Sequence, residues 1–291
     1  MADLKATVLV DNTAGCGLSG EWGLSAFIEY RGKKILLDTG ASERFAKNAA
    51  ALGFRLEEVD YAVLSHAHYD HSNGMERFFK ENASAKFYLQ ECCGEDCYKK
   101  ILFFPKYIGL PKGVLKKYAD RVERVSEDRE ISEGIHLISH KKPGRDLIGK
   151  RENMIRRTEN GWVTDDFSHE QSLVFETENG LVIFNSCSHG GASDIVTEVL
   201  ETLGGRENGG ENTGEKSGEN CGTQKVAALV GGFHLHSRTD NEVREFAEKL
   251  KNCEVPYVCT GHCTGERAYG ILKEELGEKL HHLKTGLVIE L

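Results

Sequence analysis

No stretch of this sequence approaches about 18 uninterrupted apolar residues, so no membrane-spanning segment is expected. The opening residues, MADLKATVLVDN, lack a basic segment followed by a long apolar one, and no signal peptide is expected either. Positive charge is in deficit, with 37 Lys and Arg against 46 Asp and Glu and a net charge of −9. That balance argues against nucleic acid as the main partner, although a metal-dependent nuclease with a local basic patch stays compatible with it. The nine cysteines are odd in number and lack the even spacing of a secreted disulfide framework. Reduced thiols in a cytoplasm are the simpler reading.

What the sequence does hold is a repeated unit, an apolar run of strand length whose C-terminal end presents a histidine. VDYAVLS leads to His66, LVIFNSCS to His189, KVAALVGGF to His234 and VPYVCTG to His262. LSAFIEYRGKKILLDTG reads as a hairpin turning at Arg31-Gly32-Lys33, and SLVFETENGLVIF as another turning at Asn179-Gly180. Helical spacing appears in SERFAKNAAALGF (Ser42 as N-cap, Gly53 as stop), in GMERFFKEN, from about Ser193 to Leu203, and in NEVREFAEKLKN. Strands apolar on both faces, alternating with helices, indicate a layered α/β fold. Residues 92–165 break the alternation and are expected to form an insertion over one side of the core. The Gly204–Gly222 stretch is too polar and glycine-rich to bury anything and is expected to be a mobile loop.

The segment LSHAHYDHSNGM places His66, His68, Asp70 and His71 within six positions, in a chain with only twelve histidines. A His-rich surface loop is the bland reading and a metal site the sharp one. Alternation along an extended segment puts His66 and His68 on one side, where two imidazoles can take one ion. Asp70 and His71 then point elsewhere and can serve a second ion. Zinc suits such a mixture of imidazole and carboxylate, with iron and manganese as the other candidates. His189 and His262, each beside a glycine-flanked strand end, could supply the remaining imidazoles.

SHAHYDH, preceded by LLDTG and followed by CSHGG and TGHCTG, resembles the metallo-β-lactamase superfamily. The resemblance implies a single αββα sandwich over residues 1–291 with a mono- or dinuclear centre at one edge. Carried over by position, it implies that His66, His68 and His189 hold one metal and that Asp70, His71 and His262 hold the other. Asp38 matches a buried carboxylate that would orient a ligand imidazole by hydrogen bonding without touching metal. The pattern breaks at LVGGFHLH, where many members carry a bridging aspartate. There His234 stands as a ligand, a substrate contact or neither. VLVDN, GLSAFIE, SHAHYDHSNGM, GGFHLHS and TGHCTGERA further resemble a subgroup described as 7,8-dihydropterin-6-methyl-4-(β-D-ribofuranosyl)aminobenzene-5′-phosphate synthase.

The expected activity is that of a metal-dependent hydrolase. Metal-activated water would attack an ester, lactone or phosphorylated small molecule, with Asp70 assisting proton transfer and His234 in the catalytic set. A pterin-condensing transferase is the alternative, and a non-catalytic metal- or ligand-binding sensor the third reading. The basic run Lys141, Lys142, Arg145, Lys150, Arg151, Arg156 and Arg157 reads equally as a phosphate clamp or a solvated loop. Cys92, Cys93 and Cys97 have no partner motif and read as incidental thiols; Cys187 and Cys263, each within two residues of an expected ligand histidine, read as small residues packed under the site, with metal ligation or sensitivity to oxidation as the other reading. Replacing Gly204–Gly222 with a short Gly-Ser linker is expected to leave the melting temperature and metal content nearly unchanged. A large loss of stability in that variant would show that the segment packs.

Overall fold

The computed structural model describes residues 2–102, 104–204 and 224–291. The first half contains β1 (Leu4–Val10), β2 (Ser25–Tyr30), β3 (Lys33–Leu37), α1 (Arg44–Ala51), β4 (Tyr61–Val63), α2 (Tyr69–Ser72), α3 (Met75–Glu81) and β5 (Lys86–Gln90). Then come β6 (Cys97–Ile101), β7 (Phe104–Tyr107), α4 (Val114–Lys117), β8 (Val122–Val125), β9 (Arg129–Ser132), β10 (Ile135–Ser139), α5 (Arg145–Glu152), β11 (Met154–Thr158) and β12 (Gly161–Thr164). The rest holds β13 (Gln171–Thr177), β14 (Gly180–Phe184), α6 (Ala192–Leu203), β15 (Val226–Gly231) and α7 (Asp240–Asn252). It closes with β16 (Tyr257–Thr260), α8 (Glu266–Leu276), β17 (Leu280–His282) and β18 (Val288–Glu290).

Two seven-stranded sheets face each other, in the orders β18-β1-β2-β3-β4-β5-β8 and β17-β16-β15-β14-β13-β10-β9. The two-residue period of a strand sorts its side chains between layers. Ala26 and Ile28 of β2, Ile35 and Leu37 of β3, Leu173 and Phe175 of β13, and Ala228 and Val230 of β15 fill the space between the sheets. The alternate residues Phe27 and Leu36 face outward onto Phe45 of α1 and Phe78 of α3. On the other sheet Val174, Ile183 and Leu229 meet Ile195 of α6, Val243 of α7 and Leu272 of α8. Each central strand is therefore covered on both faces, which is why its sequence reads as a nearly unbroken apolar run. The layers are αββα.

Residues 92–165 divide in a way the sequence reading did not anticipate. β8 extends the first sheet, β9 and β10 extend the second, and β6, β7, β11 and β12 form a separate four-stranded sheet. The second hairpin turns one residue earlier than expected, at Glu178-Asn179, because Thr177 pairs with Gly180. Gly180 is needed for another reason: a Cβ there would lie 2.3 Å from the Lys225 carbonyl oxygen. The expected loop Gly204–Gly222 lies, apart from Gly204, outside the described residues. No helix among the described residues is long and apolar enough to cross a membrane.

β3 and β4 run parallel, as do β14, β15 and β16, so on each sheet the C-terminal ends of these strands share one edge. The strands stop short of the histidines, at Val63, Phe184, Gly231 and Thr260. His66, His189, His234 and His262 therefore sit on the loops that follow, not in the strands themselves.

Candidate metal centre

Those loops bend sharply. Asp38, Ser188, His234 and His262 all have positive φ, between 48° and 56°. Non-glycine residues in this region cost on the order of 1 kcal/mol or more, and their clustering at one edge marks a functional surface. Backbones also approach closely there. A Cβ on Gly231 would lie 1.8 Å from the Asn185 carbonyl oxygen, so the β14 and β15 exits can lie side by side only with glycine at that point.

Asp38 is fully buried and organises the first cluster. Its Oδ1 accepts the Ser65 backbone N–H at 2.8 Å, and its Oδ2 accepts the Ser65 hydroxyl at 2.7 Å and His71 Nδ1 at 2.8 Å. The Ser65 hydroxyl, having donated its proton to Asp38, accepts from His66 Nδ1 at 2.8 Å. Across the edge, Asn12 Oδ1 accepts from His262 Nδ1 at 3.0 Å. Three imidazoles are thus pinned through Nδ1–H, which leaves each Nε2 as a lone pair.

The lone pairs converge. His71 Nε2 and His262 Nε2 are 3.1 Å apart, and Cys187 Sγ lies 3.3 Å from His71 Nε2. Two imidazole lone pairs facing each other repel unless a proton or a cation lies between them. Two ligands of a tetrahedral zinc ion at about 2.0–2.1 Å each would be about 3.3 Å apart. His66, His68 and His189 form a second set whose ligand atoms all lie within 4.8 Å of one another. His66 Nε2, His68 Nε2 and both nitrogens of His189 are buried without hydrogen-bond partners. Buried polar atoms are almost always satisfied, so such a group of orphaned nitrogens fits a metal ion. Asp70 Oδ2 lies 3.6 Å from His262 Nε2 and accepts the Trp22 indole N–H at 2.9 Å.

Protonation suits this role. Burial, with help from neighbouring imidazoles, holds His66 and His189 well below the ordinary imidazole range and brings His262 to about 3. His68 is likewise brought to about 3, by burial and then by His169. Neutral rings are the ones that bind metal. His71 is also pushed down by burial, but Asp38 and Asp70 outweigh this and raise it. His234 joins His189 and Cys187 in a further buried cluster whose ligand atoms lie within 4.8 Å of one another, its ring 4.4 Å from that of His189, and both its nitrogens lack a hydrogen-bond partner. Its Nε2 is 3.8 Å from Glu152 Oε2. Burial lowers it, and Cys263 and Glu152 carry it up to about 9.

The structure brings the six residues proposed as ligands to one edge, with Asp38 hydrogen-bonded to His71 beneath them. The basic run divides instead of forming a clamp. Lys141 pairs with Asp128, Lys142 with Asp194, Arg151 with Glu242 and Arg156 with Asp96. Arg145 lies over the loop beside His189 and donates to the Phe167 carbonyl. Sequence reasoning missed Asn12, Trp22, Ser65, Glu152, Asp165 and His169. His169 accepts the Ala67 N–H and donates to Asp165 Oδ2 at 3.2 Å, which braces the His66–His68 loop from below. The D-x-x-x-H spacing in DDFSHE was the one sequence signal for that pair. Cys97, read as incidental, lies with His68, Asp165 and His169 in this buried cluster.

An αββα sandwich with imidazoles gathered on loops at one edge defines a class of proteins built around a candidate metal centre. The chain belongs to the metallo-β-lactamase superfamily, whose family model matches residues 23–262. It is 28% identical over 314 aligned residues to 7,8-dihydropterin-6-methyl-4-(β-D-ribofuranosyl)-aminobenzene-5′-phosphate synthase of Methanocaldococcus jannaschii, covering 99% of this chain and 97% of that one. Among solved structures it is similar to Tm1679, described as a metal-dependent hydrolase of the β-lactamase superfamily. That likeness has a TM-score of 0.78 and 26% identity and covers 99% of both chains. Zn²⁺-bound PqqB from Methylobacterium extorquens shares the fold, with a TM-score of 0.55 and 11% identity over 99% of this chain and 100% of that one.

The depressed histidines set a pH dependence. Below the ordinary imidazole value of 6.5 the unfolded chain takes up protons at His66, His68, His189 and His262 that the folded chain refuses. Their contribution is complete above 6.5 and is lost as the pH falls towards about 3, the value for His68 and His262. His71 and His234 are raised, so they stabilise below 6.5 and lose that contribution as the pH rises through their folded values. Four imidazoles act in the first direction, against His71, His234 and Asp11, the last of which burial raises to about 7. With chelator present, the melting temperature is expected to be lower at about pH 5 than at about pH 7.5. An equal or higher value at the acid pH would contradict the neutral assignment.

Proposed function

We propose that the chain is a metal-dependent hydrolase that cleaves an ester, lactone or phosphorylated small molecule. The observation that carries this reading is the set of buried, unpartnered nitrogens of His66, His68 and His189, whose ligand atoms lie within 4.8 Å of one another. The full-length likeness to Tm1679, described as a metal-dependent hydrolase, supports it. His66, His68 and His189 would hold one divalent ion, and Asp70, His71 and His262 the other, with zinc favoured by the donor types. Bound there, such ions supply Lewis acidity towards a carbonyl or phosphoryl oxygen and make a coordinated water acidic.

The chain's own residues do the positioning. Ser65, Asp38 and Asn12 hold the Nδ1 protons of His66, His71 and His262 and so aim each Nε2 inward. Phe167 stacks on His189 with ring centroids 4.3 Å apart and closes that side to water. Asp70, fixed through Oδ2 by Trp22, is placed to hold the proton released by an attacking water. His234, charged beside Glu152, is placed to contact the substrate and protonate a leaving oxygen.

A second reading, condensation of a dihydropterin with an arylamine, is favoured by the full-length likeness to the M. jannaschii synthase. Trp22 adds to it: the ring is 45% exposed while its N–H is tied to Asp70, so a planar substrate could lie against it. Incubation with a dihydropterin diphosphate and an aryl acceptor, in parallel with ester, lactone and phosphoester substrates and with and without metal, separates the readings. Hydrolysis without condensation supports the first, and condensation without hydrolysis replaces it with the second. His66→Ala, His68→Ala and His189→Ala are each expected to lose one ion with the far-ultraviolet spectrum unchanged. His234→Ala is expected to keep both ions and lose roughly 10²-fold in turnover. Full metal occupancy in all three ligand variants would overturn the ligand set.

A further inference from the structure

We infer that Cys187 is a ligand of this centre, its sulfur bridging the two ion positions. The inference rests on the two-ion reading above. Cys187 is 3% exposed and sits on the loop leaving β14. That loop is held on both sides: Ser188 N–H donates to Asn185 Oδ1 at 2.6 Å, and Gly232 N–H to the Ser186 carbonyl at 2.9 Å. The sulfur recurs in three buried clusters, with His66 and His71, with His189 and His234, and with His262 and Cys263, in each of which the ligand atoms lie within 4.8 Å of one another. It therefore reaches nitrogens from both proposed ligand sets.

Distances and charge agree with a bridging role. A tetrahedral zinc ion with bonds of about 2.3 Å to sulfur and 2.0–2.1 Å to nitrogen sets those two ligands about 3.5 Å apart. Cys187 Sγ lies 3.3 Å from His71 Nε2. Paired divalent ions about 3.5–4 Å apart repel unless an anion lies between them. His234 stands at the chain position where the resemblance expects a bridging carboxylate, and imidazole has no negative charge to give. A Cys187 thiolate does, its S–H proton passing to solvent as the sulfur–metal bonds form.

Cys263 shares one of these clusters, with Cys187 and His262, and is the competing thiol. Its Sγ accepts the His234 backbone N–H at 3.3 Å, and a Cβ on Gly232 would lie 2.5 Å from it. That sulfur packs under the His234 loop and is the control.

The test is cobalt loading of chelator-stripped protein, read by metal stoichiometry and by thiolate-to-cobalt charge-transfer absorption. The wild type and Cys263→Ser are expected to bind two Co²⁺ and show the band. Cys187→Ser and Cys187→Ala are expected to lose it and to bind the second ion roughly 100-fold more weakly. Two bound cobalt ions without the band in the wild type would overturn the Cys187 assignment and leave the two-ion centre standing. No cobalt binding in the wild type would overturn that centre, and the bridge with it. A band kept in Cys187→Ser and lost in Cys263→Ser would move the thiolate to Cys263. Should the Cys187 variants fail to fold, the spectra of the wild type and Cys263→Ser decide the matter.

Discussion

The Asp38 carboxylate is the constraint on which the rest of the site depends. Buried at the end of β3, it accepts from the Ser65 backbone, the Ser65 hydroxyl and His71 Nδ1. Its hold on Ser65 fixes the proton of His66 in turn. One group with no reach into solvent thereby sets the tautomers of two imidazoles and the path of the loop between them. A carboxylate so placed is tolerable only because hydrogen bonds fully satisfy its oxygens. Removing it would free both rings at once.

The sandwich makes that arrangement possible. Parallel strands bring their C-terminal ends to one edge, and the loops there take positive φ at Asp38, Ser188, His234 and His262. The apolar layers on both faces of each sheet hold these turns in place, so strain at the edge is offset by packing beneath it. Side chains 191 residues apart, His71 and His262, then approach within 3.1 Å. Asn12 and His262, joined across 250 residues, close the same edge from the first strand.

Much of this was legible in the chain, for identifiable reasons. The layered fold showed because doubly covered strands must be continuously apolar, and the histidines showed because imidazole is rare and concentrated. Residues acting through tertiary approach were hidden. Glu152, the last residue of α5, comes within 3.8 Å of His234 from 82 residues away, and no local pattern announces that. Asn12 looks like an ordinary polar residue after a strand until His262 arrives. The basic run left a clamp and a solvated loop equally open because its acidic partners, Asp128, Asp194 and Glu242 among them, are distant in sequence. For Cys187 packing and metal ligation both stayed open, because spacing cannot show that its sulfur meets imidazoles from several loops.

These histidines and Asp70 are proposed to form a centre for two divalent transition-metal ions. Metal analysis of the protein purified without added metal tests it most directly. Such a centre should yield about two equivalents of zinc or another transition metal per chain, in keeping with the imidazole-rich donor set. A chain that carries no transition metal, and takes up none on dialysis against it, has no such centre.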